Sequence, residues 1–332
     1  MNADIKALIK SLPKIDLHCH LDGSLSPSFV ADTLGNGMSC EELMHCMQAP
    51  ATCMSLTEYL KCFDTPIKTL QTASNIKSAV LNVLKQAADE GVRYMEIRFA
   101  PTFSVNSSLT YNEVCEAAIE GCREGLKAYK IHSNIILCAM RHLDLETNMK
   151  TVQAALEFLG NGVCALDLAG DESIYPNQNF ISLFEYAERS KLPFTIHSGE
   201  CGSSENIRIA LELGAKRVGH GIALIKDRTL IQKCANARLG LELCPTSNFQ
   251  TGAASDISAY PLKDFLNYGL LATINTDNRT VSNTTMTKEL SFAYEKMEIT
   301  PDNLKQIYEN SIEISFADDN IKHCLYESMS GI

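Results

Sequence analysis

Strand-sized apolar runs alternate with longer stretches of helical periodicity along nearly the whole 332-residue chain, and this alternation restricts the fold more than any other feature. The runs are KIDLHCH (14–20), RYMEIRFA (93–100), NIILCAMR (134–141), VCALDLA (163–169), PFTIHS (193–198), RVGHG (217–221), RLGLELC (238–244) and LLATINTD (270–277). Several are apolar almost throughout, as expected of parallel strands covered on both faces. Amphipathic stretches lie between them, such as SENIRIALELG (204–214) and YNEVCEAAIEGCREGLKAY (111–129). In the second, Val114, Ala118, Cys122 and Leu126 share one helical face.

Eight strands each followed by helix predict an α/β fold, a (β/α)8 TIM-type barrel. The rival is an open doubly wound sheet. Neither G-x-G-x-x-G nor G-x-x-x-x-G-K-[ST] follows any run, so the phosphate loops usual in that rival are missing. The gap between the first two runs is too long for a simple connection and must hold inserted helices, a lid insertion at about 26–90. Within it, SLTEYLKCFDTPIKTL (55–70) carries Leu56, Tyr59, Leu60 and Phe63 at i, i+3, i+4 and i+7, an apolar face on one helix. No internal repeat or Pro/Gly-rich linker divides the chain, so residues 1–332 are expected to form one domain.

The formal net charge of −11 argues against a surface made for nucleic acid or anionic membrane. No apolar run approaches the roughly 20 residues of a membrane span. The opening MNADIKALIKSL has Lys6 and Lys10 inside its apolar stretch, which fits a lead-in helix rather than a signal peptide. Thirteen scattered cysteines include no C-x-x-C pair, and Cys138, Cys164 and Cys244 fall in apolar runs. Reduced, mostly buried thiols in a cytoplasmic protein are expected, and monomer is the default.

His18 and His20 stand two apart in a strand, so their rings face the same side and suit one transition-metal ion; hydrogen-bonded core histidines are the alternative. His197, His220 and Asp277 fall at the ends of the fifth, sixth and eighth runs, which a barrel gathers on one face. His45, His132 and His323 fall in helical or loop segments, and His142 in a loop at the pocket rim. Three imidazoles and a carboxylate suit Zn²⁺ with an open position, the arrangement of hydrolytic sites. Glu200, three residues past His197, can approach the ion without binding it, as a general acid/base requires; a helix-start carboxylate is the plainer reading. The fourth run ends Leu166-Asp167-Leu168-Ala169-Gly170-Asp171, without the lysine that bridges two-metal barrel hydrolases, so one ion per chain is expected.

Together, PKIDLHCHLDGSL (13–25), LDLAGDE (166–172), IHSGE (196–200), RVGHG (217–221), LCPTSNFQTG (243–252) and INTD (274–277) resemble the adenosine deaminase family in its bacterial form, over Pro13 to about Thr287. The resemblance implies zinc-dependent hydrolysis of adenosine and 2′-deoxyadenosine to inosine, or 2′-deoxyinosine, and ammonia. It implies His18, His20, His197 and Asp277 as zinc ligands and Glu200 as proton donor to purine N1. His220 would stabilise the attacking hydroxide and Asp277 would orient it. His20, Asp22, Gly170 and Asn278 would contact substrate, Asp22 at the 5′-hydroxyl and Gly170 at N3 through its backbone N–H. The Leu56, Tyr59, Leu60 and Phe63 stripe would wall the base.

One departure is Asn278, where many members carry a second aspartate that hydrogen-bonds N7; an amide donates at any pH, so the contact can persist. The H-x-E and P-C-x-x-C pair of cytidine and nucleic-acid deaminases is missing as a site, which leaves a small-molecule purine nucleoside as partner. The alternatives are a relative acting on adenine, an N6-substituted AMP or aminodeoxyfutalosine, and a purine-binding barrel without catalysis. Asp22 opposes a 5′-phosphate by charge.

Overall fold

The computed structural model describes residues 3–35, 37–51, 53, 56–201 and 203–329; Met1, Asn2 and Ser55, which belong to predicted helical stretches, lie outside them. A lead-in helix α1 (Ala3–Ser11) precedes β1 (Lys14–His20). Then come α2 (Pro27–Leu34), α3 (Cys40–Met47), α4 (Leu56–Leu60), α5 (Asp64–Ile67) and α6 (Ala73–Asp89). The chain continues through β2 (Val92–Phe99), α7 (Tyr111–Tyr129), β3 (His132–Met140), α8 (Leu145–Glu157), β4 (Val163–Ala169) and α9 (Ile181–Arg189). Its second half runs β5 (Thr195–Ser198), α10 (Ser204–Glu212), β6 (Arg217–His220), α11 (Arg228–Asn236), β7 (Gly240–Leu243), α12 (Pro245–Gln250), α13 (Leu262–Asn267) and β8 (Leu271–Ile274). Helices α14 (Met286–Lys296), α15 (Pro301–Ile314) and α16 (Asp319–Met329) follow.

All strand pairings are parallel, in two four-stranded sheets ordered β1-β2-β3-β4 and β5-β6-β7-β8. Two seams join them. Leu166 bridges Phe194, with Leu166 N donating to Pro193 O at 2.9 Å. At the other seam Cys19 bridges Asp277: Asp277 N donates to His18 O and His20 N to Asp277 O, both at 2.7 Å. The result is the eight-stranded α/β barrel expected from the alternation. The end of α15 and the segment after it cover the strands' N-terminal end, where Arg217 donates to Ile314 O and its guanidinium carbon lies 3.9 Å from the Phe316 ring centroid.

Local sequence explains the helix boundaries. Thr110 and Glu113 form a reciprocal capping box that starts α7 at Tyr111. On its face Val114, Ala118 and Cys122 are buried, whereas Leu126 in the last turn is 38% exposed. Helix α6 packs against α7 and β2. The stretch expected as one helix over 55–70 is instead α4, a 3-10 turn at Lys61–Phe63, and α5. Pro66, which offers no N–H, sits in α5, and the chain tightens just ahead of it.

The predicted strand limits are one to three residues too long or too short at most ends. His132 opens β3 rather than lying in a loop or helix, and β8 stops at Ile274, three residues before Asp277. The cysteines are free thiols, most of them buried, with Cys40, Cys46, Cys201 and Cys324 exposed. No helix among the described residues is long and apolar enough to cross a membrane.

Candidate active site

β1 carries both His18 and His20 to the C-terminal mouth of the barrel, where β5 brings His197 and the loop after β8 brings Asp277. His20 Nε2 lies 3.3 Å from His197 Nε2. Asp277 Oδ1 lies 3.4 Å from His18 Nε2 and 3.5 Å from His20 Nε2. The four ligand atoms all fall within 4.8 Å of one another. Donors about 2.0–2.1 Å from one tetrahedral ion stand roughly 3.3 Å apart, so the spacing fits zinc.

Hydrogen bonds aim these rings. His18 Nδ1 is 2.8 Å from Glu242 Oε2, and His197 Nδ1 is 3.0 Å from Asp167 Oδ2. With Nδ1–H donating to a carboxylate, each ring presents its Nε2 lone pair to the centre. His18 Nε2 is buried and has no hydrogen-bond partner, which fits a metal-ligand atom. Burial pushes the imidazoles of His20 and His220 well below the usual pKa, which keeps them neutral. Asp277 is held well below the carboxylate range; burial opposes this, but the surrounding imidazoles outweigh it.

Beneath the rings Arg98 clamps both supporting carboxylates, with Nη1 3.1 Å from Asp167 and Nη2 2.8 Å from Glu242. All three groups are fully buried. Space for the His18 ring depends on Gly219 in β6, since a Cβ there would come within 2.9 Å of His18 Cε1. A second grouping of His18, His220, Cys244 and Asp277 also has ligand atoms close together. Of the second set only His220 and Asp277 line the cavity described next, whereas His20, His197 and Asp277 of the first set do, so the first set is the more open to a substrate.

His20, His197 and Asp277 of the first set line the floor of a cavity of about 440 Å³, and His18 is fully buried behind them. Glu200 and His220 stand on one side, with His220 Nε2 3.7 Å from Glu200 Oε2. Burial pushes the Glu200 carboxyl up to about 8, helped by the negative charges of Asp277 and Glu172. His220 Nδ1 lies 2.9 Å from the Asn248 amide, which is in turn bonded to the Tyr260 hydroxyl at 2.9 Å. His220 and Asp277 both adopt left-handed backbone (φ 61° and 58°), rare for residues with a side chain and common where function constrains the backbone.

The other predicted contacts also line the cavity: Asp22, Gly170, Asn278, and the stripe of Leu56, Tyr59, Leu60 and Phe63. Asp22 Oδ1 is buried without a partner, and burial raises its carboxyl to about 6. Gly170 has φ 108°, a conformation that only glycine adopts readily. Asn278 donates to Tyr59 OH at 3.0 Å, and its Oδ1 has no partner. His142 stands at the rim as expected, its ring stacked on Phe103 at 6.0 Å between centroids. No lysine or arginine lines the cavity among the described residues. A smaller apolar cavity of about 210 Å³ lies at the far end, between α1, α14 and α15, away from this chemistry.

Sequence reasoning missed Arg98, Asp167, Glu242 and Asn248. A signal was present for the first three, because a charge inside an otherwise apolar strand requires a buried partner.

The adenosine deaminase family model matches residues 13–331. An adenosine deaminase of Enterococcus faecalis is 38% identical over 326 residues, covering 97% of each chain. One from Clostridium botulinum is 40% identical over 325 residues, covering 95% of this chain and 96% of its own. Among solved structures, the N6-mAMP deaminase of Arabidopsis superposes with a TM-score of 0.87 at 27% identity, over 98% of this chain and all (100%) of that one. A Burkholderia ambifaria amidohydrolase solved with bound zinc shares the fold (TM-score 0.90, 21% identity, covering 98% of this chain and 92% of its own). On the motifs, the barrel and these full-length matches, the chain belongs to the adenosine deaminase family.

Proposed function

We propose that the chain hydrolyses the 6-amino group of adenosine and 2′-deoxyadenosine, giving inosine or 2′-deoxyinosine and ammonia, with one Zn²⁺ held by His18, His20, His197 and Asp277. The observation that carries this reading is a buried acid, Glu200, raised to about 8 beside converged imidazoles at one cavity. Bound there, the ion supplies Lewis-acid charge and lowers the pKa of a water from about 15.7 toward roughly 7. Glu200 is protonated at neutral pH and donates to purine N1, which draws electron density from C6. His220, neutral and held by Asn248, steadies the attacking oxygen, and Asp277 orients it. Gly170 offers its backbone N–H to N3, and Asn278 offers an amide N–H to N7.

Asp22, with an unpartnered buried oxygen, accepts from the ribose 5′-hydroxyl. Structural relatives include N6-methyl-AMP deaminases, but here Asp22, with no lysine or arginine among the described lining residues, disfavours a 5′-phosphate. The segment 26–90 is read as the helical cover of the site within a single domain, and the protein as a cytoplasmic monomer.

Purified zinc-loaded protein is expected to release inosine and ammonia from adenosine far faster than it turns over adenine or AMP. Glu200→Gln should lose roughly 10²–10⁴-fold in kcat while keeping its zinc. Faster turnover of AMP than of adenosine would transfer the reading to the nucleotide.

A further inference from the structure

We propose that Glu172 is a positioning residue that sets the direction of Glu200 by clamping the backbone on both sides of it. The inference rests on reading Glu200 as the proton donor to N1. Glu172 stands in the loop after β4, two residues beyond Gly170, and is 3% exposed. Its Oε1 accepts from Cys201 N at 2.7 Å, and its Oε2 accepts from Gly199 N at 2.9 Å and Asn206 Nδ2 at 2.8 Å. The two backbone donors are those immediately before and after Glu200. Among the described residues Glu172 forms no ion pair, so a desolvated carboxylate is committed wholly to these three N–H groups.

The local chain needs such a clamp. β5 ends at Ser198 and α10 starts at Ser204, so the turn that carries Glu200 belongs to neither element. Gly199 is left-handed there, with φ 73°. Its carbonyl accepts from Ala223 N at 2.9 Å, which fixes one side of the turn, and Glu172 fixes the N–H side.

A buried network extends the clamp into neighbouring elements. Asn206 Oδ1 accepts from Asn177 N at 3.0 Å, and Asn177 Nδ2 donates to Ser198 Oγ at 2.8 Å. The loop that presents Gly170 to the substrate therefore also holds the acid. The wall against the purine and the proton donor move as one unit. The charge of Glu172 further favours the protonated form of Glu200. Glutamine could not replace it without loss, since its NH₂ would face one of the N–H donors.

The test compares Glu172→Gln, Glu172→Asp and Glu200→Gln, all zinc-loaded, with the wild type. Measured are zinc content, kcat and KM for adenosine, and the dissociation constants of two analogues. Purine riboside must take water at C6 and a proton at N1 to bind in its tight, hydrated form, whereas 1-deazaadenosine has C–H at that position and cannot accept the proton. Glu172→Gln is expected to lower kcat at least tenfold with KM within threefold, and to keep one zinc. It should weaken purine riboside by a similar factor while 1-deazaadenosine stays within twofold.

Glu172→Asp keeps the charge but lacks the reach for both backbone N–H groups, and should show the same split with smaller amplitude. A kcat within twofold of wild type for both variants overturns the proposal. So does equal weakening of the two analogues, loss of zinc, or failure of both variants to fold, each of which makes Glu172 a residue of general stability. Glu200→Gln separates the two levels: if it keeps the wild-type rate, the reading of Glu200 fails, and if it collapses while the Glu172 variants do not, only the clamp fails.

Discussion

Glu200 takes its reactivity from its surroundings, since a carboxyl raised to about 8 by burial and by neighbouring negative charge is still an acid at neutral pH. In the proposed role the protonated form is the donor, so kcat/KM for adenosine is expected to fall as pH rises through about 8; a plateau that persists to pH 10 would remove the role. Asn278 raises a different matter. One amide N–H is bonded to Tyr59, whose hydroxyl also meets Ser282 Oγ at 2.7 Å, which leaves the other N–H for N7. 7-Deazaadenosine is accordingly expected to be a markedly poorer substrate than adenosine, and Asn278→Ala should erase most of the difference. Equal rates for the two nucleosides in wild type would exclude the contact. The candidate ligand residues, which the structure brings together, were legible at this scale because imidazoles and carboxylates at strand ends are chemically distinctive. Asn248 and Glu172 were not, because an amide or an acid in a loop has no sequence pattern that reveals its partners.

Among the elements, β1 was the most readable. Strand parity puts His18 and His20 on one side whatever the rest of the chain does. The run over 55–70 was readable only in part. Its stripe reaches the cavity as expected, although the helix is broken into α4, a 3-10 turn and α5, because each short piece still advances by a similar angle per residue. Tyr59 is buried with Leu56 and Phe63 packed against its apolar cluster, and Leu60 is 38% exposed, so the stripe both lines the cavity and packs against Ala49, Cys53, Cys62 and Val281. Phe63→Ala is expected to raise KM for adenosine roughly fivefold, about 1 kcal/mol of lost apolar contact, with kcat within about twofold. Steady-state kinetics would show it; an unchanged KM would return Phe63 to ordinary packing. Strand ends were the least legible, since the last residues of β5 to β8 look alike in sequence whether or not they pair.

Across the whole molecule, the candidate metal site draws on both four-stranded sheets, with His18 and His20 from one, His197 from the other and Asp277 from the loop that follows β8. An ion bound there ties the halves together in the folded state only. Its removal by chelation is expected to lower Tm, and zinc should restore it. An ion at 100 times its Kd contributes about 2.7 kcal/mol by mass action. An unchanged Tm in calorimetry, with the metal shown to be gone, would mean that the hydrogen bonds of the β1–β8 seam hold the barrel without it. The sequence by itself determined the alternation of strand and helix, the parity of the paired histidines and the kinds of side chain offered to the ion, because these follow from local spacing and chemistry. Tertiary structure alone decided that Arg98 clamps Asp167 and Glu242, that these two carboxylates turn His197 and His18 inward, and that Glu172 grips the turn of Glu200. Those bonds join residues far apart in the chain, and only closure of the barrel brings them within reach and strips away the water that would otherwise compete for them.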